Sequence, residues 1–191
     1  KHENDGTFTE GTLDGVSAYY VTKFGQKIQL GVDPGFEFEG KLEALAKEIV
    51  ADMLSVDEDI VIDMEERNGN LYEHTIMVTL LAVMVARKLK LSEESLYQIA
   101  LGCLLHDLGL RYITVPYIDC DMEALSSSEV FEYKKHTILA YSALEGEDWI
   151  DGISKKMILY HHERRDGSGF PLKQKSRDIE CCILQACDAF D

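Results

Sequence analysis

A chain of 191 residues, 46% apolar and 28% charged, suits one soluble domain with its own core plus at most a small appendage. Its 35 acidic residues against 19 basic ones give a net charge of -16, which excludes broad binding to duplex nucleic acid. A small phosphate ligand stays compatible with that charge if metals or cations line its pocket.

Residues 1–40 interleave Phe8, Leu13, Val16, Tyr19, Tyr20, Phe24, Ile28 and Leu30 with glycines at 6, 11, 15, 25, 31 and 35. Short apolar runs between glycines predict two or three brief strands with tight turns, too small for an independent core. His2 lies there and is given no role. From Gly40 the pattern turns helical, with Leu42, Leu45, Ala46, Ile49 and Met53 on one face. The acids 57–59 precede a predicted short helix over Ile60-Val61-Ile62, broken at Asn68-Gly69-Asn70. The next helix is expected over 71–89, with His74, Val78, Leu81 and Val85 on one stripe, so His74 points inward. Its apolar run, near 76–86, is interrupted by Thr79 and too short to span a bilayer. No secretory signal opens the chain.

Ser92 followed by Glu93 and Glu94 marks another helix start. That helix carries Leu96, Ile99, Ala100, Cys103, Leu104 and His106, and Gly109 is placed to stop it. After a connection with Pro116 and Asp119-Cys120-Asp121, Ser126 and Glu129 have capping-box form. They open a predicted single helix through Phe131, His136, Ala140 and Leu144 to Gly146. A further helix is expected over 148–162. A last one carries Ile179, Ile183, Ala186, Cys187 and Phe190, with Asp188 on it. The expected fold is therefore mainly α: a helical bundle over 41–191 with a small β-rich segment over 1–40. The five cysteines are odd in number and form no C-x-x-C pair. Thiolate ligation is not expected, and a reducing cytoplasm is the expected compartment.

The stretch His161-His162-Glu163-Arg164-Arg165-Asp166-Gly167-Ser168-Gly169-Phe170-Pro171 joins adjacent histidines to a glycine-rich turn. Neighbouring residues on a helix point about 100° apart, so both imidazoles reach one centre only at a helix end, or by bridging two sites. Alone, the stretch reads equally well as a polar helix end and surface turn. Five histidines, His74, His106, His136, His161 and His162, fall on four predicted helices, with Asp107 and Asp188 beside them. A single histidine on an apolar face is usually a satisfied core residue, but five would each need a buried partner. A shared metal centre supplies one for all. Imidazole and carboxylate without thiolate suit iron, manganese, nickel or zinc in a catalytic setting, with magnesium also possible. So many donors match two ions bridged by a carboxylate, and Asp107 is the natural bridge. Such a pair, typically ~3.5–4 Å apart, suits phosphoester hydrolysis, with Asp107 and His106 at its catalytic centre.

The ordered set of His74, Leu104-Leu105-His106-Asp107-Leu108-Gly109, His136, His161-His162-Glu163 with Asp166 to Pro171, and Asp188 resembles the HD superfamily of metal-dependent phosphohydrolases. More narrowly it is similar to the HD-GYP branch, bacterial phosphodiesterases of cyclic di-GMP, over residues 71–191. The resemblance implies iron or manganese before the other metals, with one ion held by His74, His106, Asp107 and Asp188. It places a second on His136, His161 and His162, with Asp107 bridging. A bridging hydroxide would then open the cyclic dinucleotide to pGpG or on to GMP. The loop 167–171 would serve as a contact surface for a protein partner, and a homodimer is a candidate state. Three departures stand out: Leu110 replaces the lysine usual after HD-x-G, Phe170 replaces the tyrosine of GYP, and Asn70 stands where three-metal members carry glutamate. Two ions are therefore expected. The candidate substrate-side residues are Arg111, Arg165, Asp166 and Lys173, although the cations at 164, 165, 173 and 175 also fit a solvated surface. Two other outcomes share this ligand set: a catalytically inactive signalling module, and a phosphohydrolase of another nucleotide.

Overall fold

The computed structural model describes residues 6–13, 16–22, 27–30, 39–55, 71–115, 124–175 and 177–191, with side chains from residue 40 onward. The fold is mainly α. Backbone strands β1 (Gly6–Leu13), β2 (Val16–Thr22) and β3 (Lys27–Leu30) pair antiparallel in chain order. The predicted helix over 60–62, the breaker at Asn70 and the connection with Pro116 and Cys120 lie outside the described residues.

Seven α-helices follow among the described residues. They are α1 (Glu39–Ser55), α2 (Leu71–Lys88), α3 (Glu93–Leu105), α4 (Ser127–Tyr133), α5 (His136–Leu144), α6 (Gly152–Tyr160) and α7 (Ile179–Phe190). None is long and apolar enough to cross a membrane. The central helix is α3, which packs against α1, α2, α6 and α7. Leu96, Ile99, Ala100, Leu101, Cys103 and Leu105 are all buried, so α3 is apolar nearly all round, as a helix enclosed by others must be. Each such large side chain contributes roughly 1.5–3 kcal/mol by leaving water. Gly102 lets α6 approach, because a Cβ there would lie 3.0 Å from the Met157 sulfur. A smaller cluster of Leu110, Tyr112, Ile113, Leu139 and Ala143 joins α5 to the 3-10 turn Leu108–Tyr112.

Helix starts agree with the caps read from the sequence. The Ser92 side chain accepts from Ser95 N, and Ser126 with Glu129 forms a complete capping box. The Ser126→Ala variant should lose roughly 1 kcal/mol, the usual worth of such a cap. Thermal melting should show a midpoint about 2–4 °C lower; an unchanged midpoint would mean that α4 is held by packing alone.

Four helix readings need correction. The expected helix from Ser126 to Gly146 breaks after Tyr133, and α5 begins afresh at His136. Asp148 does not open α6; Asp151 caps it, its Oδ1 accepting from Ile153 N and Ser154 N. Gly109 does not stop α3, which ends at Leu105; it sits inside the 3-10 turn against the backbone of α5. Val85 is 37% exposed. The core face of α2 runs through Val78, Ala82 and Ala86, with Thr79 and Val83, and this turns Val85 outward.

Candidate metal centre

Three histidines share one local device. The last carbonyls of a helix have no partner within it. His106, just past α3, donates Nδ1–H to the Cys103 carbonyl at 2.6 Å. His161, just past α6, donates to Ile158 at 2.8 Å, and His136 donates to Tyr133, the last residue of α4, at 2.7 Å. A carbonyl oxygen can only accept, so each Nδ1 carries a proton and each Nε2 is the nitrogen left to ligate. Three helix ends thus fix three tautomers. All three rings are buried, and their Nε2 atoms converge on Asp107.

Asp107 divides the cluster. Its Oδ1 lies 3.5 Å from His136 Nε2 and 3.6 Å from His161 Nε2. Its Oδ2 lies 3.3 Å from His106 Nε2 and 3.8 Å from His74 Nε2. Asp188, from α7, repeats the arrangement: Oδ1 is 3.2 Å from His74 Nε2 and 3.6 Å from His106 Nε2, while Oδ2 is 3.8 Å from His162 Nδ1. Two donor groups result, one of Asp107, His136, His161 and His162 and one of His74, His106 and Asp107. Donors ~2.1 Å from a shared ion at right or tetrahedral angles lie ~3.0–3.5 Å apart, so these spacings fit divalent ions.

Two details favour cations over a hydrogen-bonded core. His106 Nε2 is buried without a hydrogen-bond partner; its 3.3 Å approach to Asp107 lacks the geometry of one. His136 Nε2 and His161 Nε2 face each other at 3.1 Å although both Nδ1 protons are already committed. The electrostatics agree. Burial, then the neighbouring His161, pushes His136 down to about 4, and burial with His161 and His136 holds His162 well below the usual imidazole range. Burial also opposes charge on His106, but Asp107 and Asp188 outweigh it and raise its pKa well above the ordinary value. An ion arriving there must displace a proton. Burial works against ionised Asp107, yet His106 and His161 hold its carboxyl well below the carboxylate range. Asp188 is likewise lowered, by His106 and His74 against its burial.

Glycines shape the loop beyond His162. A Cβ on Gly169 would fall 2.4 Å from Arg164 N and 2.5 Å from His162 O, so the loop folds back directly onto the 162–164 backbone. Phe170 N donates to His162 O, and the Phe170 ring stacks on His162 with centroids 4.6 Å apart. Glu163, buried at 2% exposure, accepts from Leu172 N and so ties the loop shut. A cleft of about 280 Å³ opens beside the cluster, lined by His161, His162, Asp188, Phe170, Gln185, Arg164 and Lys134 among others.

The seven expected ligands come together. The four expected substrate-side residues do not. Arg165 and Lys173 are exposed and do not line the cleft. Asp166 accepts from Ser168 N and Oγ in a local turn. Arg111 lies on a separate small cleft with Leu71, Thr75, Leu104, Asp107 and Leu108. Sequence reasoning missed Asp191, whose Oδ2 lies 2.8 Å from His74 Nδ1, and also Glu163, Lys134 and Gln185. A signal existed for Asp191 alone: it stands three residues after Asp188, as the C-cap of α7.

Comparison with known proteins agrees with this geometry. The HD domain family model matches residues 71–191. The chain belongs to the HD domain family. A cyclic di-GMP phosphodiesterase of Thermotoga maritima is 31% identical over 131 residues, 66% of this chain and 35% of its own. The cyclic di-GMP phosphodiesterase response regulator RpfG of Xanthomonas campestris pv. campestris is 31% identical over 132 residues, 67% of this chain and 34% of its own. This HD domain therefore spans about a third of the length of those relatives. An HDG"Y"P protein of Bdellovibrio bacteriovorus superposes with a TM-score of 0.68 over 79% of this chain and 50% of its own. At 20% identity that likeness shows a shared fold.

Proposed function

We propose that this HD domain is a metal-dependent phosphodiesterase of the HD-GYP kind, opening cyclic di-GMP to pGpG or on to GMP. The observation that carries the reading is the His136–His161 pair. Two imidazole nitrogens 3.1 Å apart, with both Nδ1 protons given to carbonyls, present lone pair to lone pair. Such a buried contact is unfavourable unless a cation joins them. In this reading His74, His106, Asp107 and Asp188 hold one ion, and His136, His161 and His162 hold the second, shared through Asp107. Iron or manganese is favoured by the donor set, and the number is two. Ions bound there would supply a water nucleophile of lowered pKa and positive charge for the phosphoryl oxygens.

The chain's own residues have separate tasks. Asp107 and Asp188 keep the donor groups in register, one oxygen toward each. The carbonyls of Cys103, Tyr133 and Ile158 hold the imidazole tautomers. Phe170 covers one face of His162 and limits water there. The names of the curated relatives support the cyclic dinucleotide as substrate. To the same proposal belong the division into a β-rich segment over 1–40 and a helical domain over 41–191, and the loop 167–171 as a protein contact.

A second reading has its own observation. Leu110, at 3% exposure, buries an apolar side chain where the resemblance would put lysine. That favours a metal-holding signalling module without turnover. Metal content of the purified protein, with cyclic di-GMP hydrolysis followed under Mn or Fe(II), separates the readings. The phosphodiesterase reading expects about two ions per chain and pGpG or GMP as product. Bound metal without hydrolysis of any diester supports the module. Turnover of bis-p-nitrophenyl phosphate alone points to another phosphoester, and no stoichiometric metal sinks both readings.

A further inference from the structure

The position after HD-x-G offers no cation for a phosphodiester, while the cleft beside His161 and His162 is lined by two, Arg164 and Lys134. Leu110 packs into the apolar cluster with Leu139 and Ala143, and Arg111 lies on a different cleft. In a chain of net charge -16, an anionic ligand approaching two carboxylates still needs positive charge at the mouth. Lys134 stands there. It is the C-cap residue of α4, directly after the Tyr133 that holds His136, and it lines the cleft with His161, His162 and Asp188. Its ammonium makes no ion pair with a described carboxylate and lies 5.4 Å from the centre of the Phe170 ring. Phe170 in turn stacks on His162. A cation resting on an exposed aromatic face is held weakly, and a phosphoryl oxygen is a far stronger partner.

We propose that Lys134 is the phosphate-binding residue of this site. It takes a non-bridging oxygen of a phosphodiester seated against the His136, His161 and His162 donors, with the Phe170 ring as its resting place between ligands. The inference rests on the phosphodiesterase reading for its ligand class, while the position of Lys134 is independent of it.

The test compares manganese-loaded wild type with Lys134→Met, Lys134→Arg and, as a surface control on α1, Lys47→Ala. Metal content, calorimetric binding of inorganic phosphate, and KM against kcat for bis-p-nitrophenyl phosphate are the readouts. Lys134→Met should keep wild-type manganese and lose about tenfold in phosphate affinity, the worth of one charge-assisted hydrogen bond. Its KM should rise in proportion, Lys134→Arg should recover most of the loss, and Lys47→Ala should stay within about twofold of wild type. A manganese-full Lys134→Met protein that binds phosphate like wild type overturns the inference, as does manganese loss in that variant. Wild type that takes up no manganese overturns the phosphodiesterase reading and this inference together. Wild type that binds manganese and phosphate but hydrolyses nothing overturns the catalytic reading, while a loss of phosphate affinity in Lys134→Met still supports Lys134.

Discussion

Replacing Asp107 by asparagine should empty at least one ion site and lower phosphodiester turnover by at least about a hundredfold. The side chain keeps its shape, so packing is not the cause. One oxygen becomes an NH2 group, and each oxygen now faces two imidazole nitrogens, at 3.5 and 3.6 Å on one side and 3.3 and 3.8 Å on the other. Whichever way the amide turns, a donor replaces an acceptor in one group, and the negative charge shared by both is lost. Asp188 cannot compensate fully, because its oxygens lie beside His74, His106 and His162 and not beside the His136–His161 pair. Atomic absorption on protein dialysed against manganese, together with bis-p-nitrophenyl phosphate turnover, checks the prediction. An asparagine variant holding two ions and turning over within about twofold of wild type would falsify the bridging role of Asp107.

The clustering of the histidines and aspartates was legible because their chemistry is carried by residue type. Histidine and aspartate in apolar helices are costly without partners, so their convergence could be argued before any coordinates. Caps were legible for a similar reason: Ser92 announces itself by a hydroxyl before two acids, and Ser126 by a hydroxyl with an acid three residues on. The break after Tyr133 was not. Lys134 and Lys135 are good helix formers, and the apolar spacing runs on through them, so propensity favours one helix. What divides α4 from α5 is a long-range demand, the need for the His136 ring to reach the Tyr133 carbonyl and Asp107 together. The cleft is illegible for the same reason. Lys134 and Gln185 lie 51 positions apart and share one cleft only through the tertiary fold, whereas Arg165 and Lys173, beside the motif in sequence, are exposed. Of the cations beside the motif, Arg164 alone lines the cleft among the described residues.

Gly109 shows how much of the site depends on a residue with no side chain. In Gly109→Ala the new Cβ would lie 1.8 Å from the His136 carbonyl oxygen, 2.6 Å from its carbon and 2.9 Å from Ala140 N. These are backbone atoms of α5 and cannot rotate aside as a flexible side chain would. Either α5 moves outward or the turn Leu108–Tyr112 lifts away, and each movement opens the apolar contacts of Leu110 and Tyr112 with Leu139 and Ala143. Backbone overpacking of this kind should cost at least about 3 kcal/mol, above the common range for a single substitution. For a domain of this size the thermal midpoint should fall by about 6–12 °C. The same displacement separates Asp107 from His136, so any folded fraction should also lose the ion shared by His136, His161 and His162. Gly146→Ala supplies the control: nothing lies within 4 Å of its added Cβ, and its stability should stay within about 0.5 kcal/mol of wild type. If both variants melt alike, the close approach of α5 to Gly109 is not what sets the distance between the two donor groups. If only Gly109→Ala falls and manganese binding falls with it, the spacing of two metal sites rests on the absence of one methyl group.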